Sequence, residues 1–280
     1  MSTSSTCGSC GAGFSPAQKF CGSCGQPVPT HRIDWEFLSH EVQHGLLHVD
    51  KGILFTVKHL LTRPGAFIRE YIDGNRAGHF KPVLLVMILG AVLAIITKLT
   101  EATTGSVVGT WSEFSNWLRK AGSGEMKFNN PMDKTLLEHF SLAVDWIGGH
   151  FALVLVLLVP FFALAMRAAF AWSKRPVNYP EWLVIGCFLT AQALCMLIIL
   201  KLIGLLLPSI ANASLLIILI VQCLTVMRLY RDVPKWNTFA RFFGGYALYS
   251  IIFGVVVTIA SIFVMMWAVG PEALINQIQK

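Results

Sequence analysis

A chain of 280 residues, 55% hydrophobic and only 13% charged, carries about half the charge of a soluble domain, in which roughly a quarter of residues are charged. So few charges cannot cover the surface of a water-soluble globule, and the sequence reads as an integral membrane protein. The formal net charge of +7 would point to nucleic acid in a soluble protein; here it is used for topology, and nucleic acid is not an expected partner.

The chain opens with CGSCGAGFSPAQKFCGSCGQ over residues 7–26. No basic stretch runs into an apolar one, so no signal peptide is expected. Cys7 and Cys10 form one CxxC pair, Cys21 and Cys24 a second. Gly11 and Gly25 follow the pairs and permit the positive φ of a tight knuckle. Four thiolates on two knuckles suit a closed, tetrahedral, structural Zn2+ site. Apolar residues beyond Phe14 and Phe20 are few, so the metal must supply most of the folding free energy. Residues 1–30 are therefore predicted to form a zinc ribbon. Two disulfides, a redox dithiol or a rubredoxin-like iron site are the alternatives. Thiolates place the module in a reducing cytosol. Cys187, Cys195 and Cys223 lie in apolar runs and read as packing residues.

His40-Glu41-Val42-Gln43-His44 matches the HExxH pattern of zinc metalloproteases. His40, His44 and His48 share one helical face and form a second metal candidate. The longer HExxHxxGxxH spacing is not met. The motif also lies outside every predicted span, and no globular domain nearby could form a cleft. A His-rich solvated or interfacial face is the preferred reading, with a metalloprotease as the remote one.

Residues 31–81 are predicted to form juxtamembrane amphipathic helices. Ile53, Leu54, Val57, Leu60 and Leu61 make an apolar stripe opposite Lys51, Lys58 and His59. Pro64-Gly65 breaks it, and Ala66 to Asp73 suits a second helix ending at Gly74. Such helices lie flat in the headgroup layer. Arg63, Arg69 and Arg76 form a basic rim. Guanidinium grips phosphate or carboxylate through two parallel hydrogen bonds, so Arg69 and Arg76 are expected to contact a lipid headgroup or an acid such as Glu181.

Five spans follow, at 82–100, 147–166, 183–207, 210–227 and 242–269, making residues 82–280 an all-α polytopic helix bundle. The 101–146 loop is read as external, with six acidic and four basic residues. It holds an expected amphipathic helix from Asn130-Pro131. Arg167, Lys174 and Arg175, and then Arg228, Arg231, Lys235 and Arg241, flank alternate ends. This positive-inside pattern puts the amino terminus in the cytoplasm and the carboxyl terminus outside. Lys201 is the clear ionisable residue within a span, near enough to its end to snorkel. Gln192 and Gln222 suit interhelical bonds, and Ser250 with Gly254 suits close helix contact.

Residues 7–82 resemble a widespread bacterial family of uncharacterised membrane proteins. The resemblance rests on the two CxxCG knuckles, on the D-x-G-x-x-x-T of Asp50, Gly52 and Thr56, and on P-G-x-x-I-R-E-Y-x-x-G-x-R from Pro64 to Arg76, with Pro82 after it. A weaker similarity continues at YPEWLVIG, where relatives often carry Glu-His and this chain has Glu181-Trp182. The resemblance implies a multi-pass protein of the bacterial inner membrane with a zinc ribbon, and implies no activity. Two functions are carried forward. One is a non-enzymatic membrane scaffold or regulator whose zinc module docks a protein. The other is a lipid-handling transporter or enzyme that holds a phosphate headgroup at the basic rim. Membrane lipids are expected partners, with self-association a further reading.

Overall fold

The computed structural model describes residues 5–15, 17–28, 30, 32–39, 52–104, 151–173 and 176–269. The HExxH-like residues His40, Glu41, His44 and His48, and nearly all of the 101–146 loop, lie outside them. Two short strands, β1 (Ser5–Thr6) and β2 (Gly13–Phe14), pair antiparallel around the first knuckle. An isolated bridge between Phe20 and Pro27 brackets the second. The remaining elements are helices: α1 (Ile53–Thr62), α2 (Pro64–Ile72), α3 (Pro82–Thr104), α4 (Phe151–Ala169), α5 (Tyr179–Gly204), α6 (Pro208–Leu229) and α7 (Lys235–Val269). A further helical stretch covers 35–39.

Among the described residues, three stretches are long and apolar enough to cross a membrane: Pro82–Thr100, Tyr179–Gly204 and Lys235–Val256. The predicted second and fourth spans fall on α4 and α6, whose apolar stretches, Val154–Ala169 and Ala213–Leu229, are shorter. Helix α5 is the centre of the bundle and packs against α3, α4 and α6. Its start is fixed by a capping box. The Glu181 N–H donates to Asn178 Oδ1 at 2.8 Å, and the Asn178 N–H donates to Glu181 Oε2 at 2.8 Å. This satisfies donors that a helix start leaves without intrahelical partners. Trp182, Ile185, Phe188, Ala191 and Leu194 are all buried, as a helix apolar on every side requires.

Polar side chains tie the bundle where the sequence suggested. Gln192 Nε2 donates to Thr225 Oγ1 at 3.1 Å, and Gln222 Nε2 to the Leu189 carbonyl at 3.2 Å. Tyr246 donates its hydroxyl to Gln222 Oε1. The Ser250–Gly254 expectation is corrected. Ser250 bonds the Tyr246 carbonyl of its own helix, and a Cβ at Gly254 would meet open space. The close approach falls at Gly245 instead, where a Cβ would lie 2.7 Å from Met166 Sδ on α4.

Helices α1 and α2 meet at Arg63, with Pro64 opening α2, a position where the missing N–H is no loss. The buried face of α1 is also corrected. Thr56 and Leu60 are buried and Ile53 and Val57 pack on the core, whereas Leu54 (82% exposed) and Leu61 face outward. Thr56 decides the face, because its Oγ1 accepts the Phe80 N–H at 2.8 Å. That buried polar contact needs Thr56 inside, and Ile53, Val57 and Leu60 follow at helical spacing.

Candidate metal centre and its docking platform

The two knuckles are built alike. Cys7 N–H donates to the Ala12 carbonyl and Gly11 N–H to the Cys7 carbonyl; Cys21 N–H donates to the Gln26 carbonyl and Gly25 N–H to the Cys21 carbonyl. Gly11 and Gly25 take φ of 74° and 72°, in the left-handed region that glycine tolerates best. The four sulfurs all lie within 4.8 Å of one another. Cys7 Sγ is 3.7 Å from Cys24 Sγ, and Cys10 Sγ is 3.5 Å from Cys21 Sγ. A disulfide would bring a pair to about 2.05 Å, and all four are free cysteines. Tetrahedral bonds of about 2.3 Å from a metal to each sulfur would put the sulfurs about 3.8 Å apart. The four cysteines can therefore hold a metal ion.

The electrostatics fit the same role. Backbone N–H groups of Ser23 and Cys24 pull the Cys21 thiol down to about 6, and those of Cys10 and Ser9 lower Cys7. Cys10 has the Ala12 N–H in its favour, but the neighbouring Cys24 and Cys21 sulfurs outweigh it and push it up to about 12. Four thiolates so close cannot all be charged by themselves. A bound cation removes that repulsion and deprotonates the coordinating thiols.

The module is latched to the helical body by a side chain that directly follows the second knuckle. Gln26 is buried, donates Nε2 to the Gly74 carbonyl at 2.7 Å, and accepts through Oε1 from Ala77 N–H at 2.7 Å and Arg76 N–H at 3.1 Å. Gly74 makes the turn at φ 103°, and a Cβ there would press on Thr30 at 3.0 Å. The following segment continues the attachment. Arg32 grips Glu181 with two bonds, Nε to Oε1 at 2.7 Å and Nη2 to Oε2 at 2.8 Å, and also donates Nη2 to the Pro176 carbonyl. Asn178 Nδ2 donates to the Ile33 carbonyl at 2.9 Å. An open cleft of about 460 Å3 lies alongside, with Thr30, Arg32, Asp73 and Glu181 in its walls.

Of the two partners expected for the arginine rim, a lipid headgroup or an acid such as Glu181, the chain itself supplies an acid to Arg69, though it is Asp232. Glu181 takes its bidentate partner from Arg32, not from Arg69 or Arg76. Arg69 Nη2 bonds Asp232 at 2.5 Å, and its Nη1 reaches the Leu229 carbonyl at 3.2 Å. Arg76 lies 4.2 Å from the centre of the Phe37 ring, a cation–π arrangement. Arg63 pairs with Glu70 at 3.2 Å. Arg69 joins α2 to the α6–α7 turn, and Arg76 joins the turn after α2 to the 35–39 stretch. The glycines of the same motifs are packing sites. A Cβ at Gly65 would lie 2.5 Å from Arg228 Cβ and 2.6 Å from the Thr225 carbonyl oxygen, and one at Gly52 would lie 2.6 Å from the Gly78 carbonyl oxygen. Beneath them His79 stacks on Phe67 at 4.6 Å, and burial lowers its proton affinity.

Gln26, Arg32 and His79 escaped the sequence reading. For Gln26 a signal existed: the repeat CGSCG is followed by Ala12 once and by Gln26 the second time. Arg32 carried no pattern that pointed across roughly half the chain to Glu181.

Over the described residues, fold and site together define a helical protein with three candidate membrane-spanning helices and a four-cysteine module able to bind a metal. Residues 50–93 match the model of a family described as a protein of unknown function, DUF3667. That match covers α1, α2 and the first half of α3, the platform on which the cysteine module is latched. No curated protein and no solved structure matches the chain.

Proposed function

We propose that this is a non-enzymatic scaffold or regulator of the bacterial inner membrane, whose cysteine module carries a structural Zn2+ and presents a docking surface for a protein partner in the cytosol. The carrying observation is the Gln26 latch. A module whose four sulfurs are all inward ligands keeps no open position for substrate, and its rigid attachment at Gly74 to Ala77 suits display rather than catalysis. Phe20, 61% exposed on the module, is the natural contact for a partner. The five-span reading, with the amino terminus inside and the carboxyl terminus outside, is retained because α4 and α6 both lie against α5. Arg63, Arg69 and Arg76 all make contacts within the chain, which favours the scaffold reading over a lipid-handling one.

The test is photo-crosslinking in living cells from position 20, with reporter fusions after Gln26 and after Lys280. A discrete protein adduct that disappears in Cys21→Ser supports the scaffold reading. Adducts to lipid alone, or reporters on the same side of the membrane, would overturn the docking and topology parts respectively.

A further inference from the structure

We propose that the corner between α1 and α2 is a wedge set into the lipid bilayer, in the leaflet at the Pro82 end of α3, with Leu54 and Leu61 against acyl chains. The wedge rests on α3 and α5 crossing the membrane, and not on the scaffold reading of the cysteine module.

Contacts along the bundle fix the depth of this corner. The 19-residue stretch Pro82–Thr100 is about 28 Å long as a helix, close to the hydrocarbon thickness of about 30 Å. Pro82 therefore marks where α3 enters the membrane. Helices α3 and α5 pack along one another, and near their far ends Lys201 Nζ donates to Thr97 Oγ1 at 2.8 Å. Counting back equally from Thr97 and Lys201 reaches Pro82 and Gly186, so the entry plane crosses α5 near Gly186. Gln192 lies about 9 Å deeper, and its Nε2 donates to the Leu60 carbonyl at 3.4 Å. Thr56, one turn earlier on α1, is held instead by the N–H of Phe80, just outside the plane. Helix α1 thus descends toward its carboxyl end. Across the corner, Gly65 fits against the Thr225 carbonyl, within the apolar stretch Ala213–Leu229 of α6.

The surface of the corner suits that depth. Leu54 and Leu61 face outward, 82% and 38% exposed, on a helix whose other face already packs on the core. Polar side chains at the corner are satisfied within the chain, as hydrocarbon demands. Thr62 Oγ1 donates to the Lys58 carbonyl and His59 Nδ1 to the Phe55 carbonyl, each at 2.8 Å. Arg63 turns back along α2 to Glu70, carrying its charge away from the corner. Lys58 is exposed between Leu54 and Leu61, and its long stem can lift the ammonium to anionic headgroups. A water-soluble partner cannot reach leucines held at this depth, so the occupant is lipid.

The experiment uses the full chain, purified and returned to vesicles of phosphatidylethanolamine and phosphatidylglycerol, with a photo-crosslinking amino acid at position 54, 61 or 36. Position 36 is the aqueous control: Glu36 is exposed, and its neighbour Trp35 lies against Tyr179, outside the entry plane. Positions 54 and 61 should give lipid adducts, and fragmentation should place those from 61 on the acyl chains. Position 36 should give none. Position 54 stands clear of the core, so its result holds even if the variant at 61 fails to fold. Absence of lipid adducts from both leucine positions, or adducts at 61 confined to headgroups, would overturn the wedge. Adducts joining two chains at position 54 or 61 would overturn lipid as the occupant and assign the face to a second copy.

Discussion

The cysteine module and the helical body are held together by opposite means. The module's buried apolar cluster is Cys7, Cys21 and Val28, with Ala12, Phe14 and Cys24 beside it. The body's cluster runs from Ile33 through Phe67, Phe80, Phe162, Trp182 and Phe188 to Phe242. A cluster in which half the members are metal-ligand candidates cannot order its chain by burial alone. The body has apolar area to spare and uses small residues to let its helices approach. The seam between them, from Gln26 to Phe37, resembles neither. It combines directed hydrogen bonds from side chains to backbone, one bidentate ion pair and one stacked guanidinium with the fully buried Ile33, which belongs to the body's cluster. The contrast can be attacked on each side.

The largest effect is expected from Cys21→Ser. Elemental analysis should show loss of most bound metal, and hydrogen exchange should rise across residues 7–26 while α5 stays protected. Retention of a full metal complement would move the metal away from the four cysteines.

Gln26→Ala strikes the seam and leaves the ligands. Three hydrogen bonds are lost, each worth about 1 kcal/mol net, so exchange at the Arg76 and Ala77 amides, which donate to Gln26 Oε1, should rise with metal content unchanged. Protection at those amides equal to wild type would show that the latch is not what fixes the module.

Gly65→Ala tests the packing side. The added methyl meets α6 backbone, and overpacking of this kind costs about 1–3 kcal/mol. The thermal midpoint should fall while metal binding by the module persists. An unchanged midpoint would mean that α2 sits less tightly on α6 than its geometry implies.

Arg32→Gln leaves the buried Glu181 carboxylate with only its capping role. Breaking a hydrogen bond to a charged group costs about 1.5–3 kcal/mol, reduced here because Arg32 is itself more than half exposed. Double-mutant coupling with Glu181→Gln should recover part of the loss. The smallest effect belongs to Glu70→Gln. Its pair with Arg63 is solvent-exposed, and exposed pairs are worth about 0–1 kcal/mol, so stability should hardly move.

Local chemistry made much of this protein legible in its sequence. The two CxxCG repeats determined a four-sulfur cluster because knuckle geometry is written within five consecutive residues. Pro64 and Gly74 determined where α2 starts and where the chain turns after it, since each acts through its own backbone. Apolar runs determined the helices that form the bundle, and the two glutamines announced bonds between them. Tertiary structure decided what depends on distant partners. It chose Thr56 rather than Leu54 for the inner face of α1, because Phe80 offers an N–H there. It gave Glu181 to Arg32, and sent Arg69 to Asp232 and Arg76 to the Phe37 ring. Charge is long-ranged and unspecific along a sequence, so an arginine declares that it needs a partner without naming one; only the packing of α2, α5 and α6 brings that partner within reach.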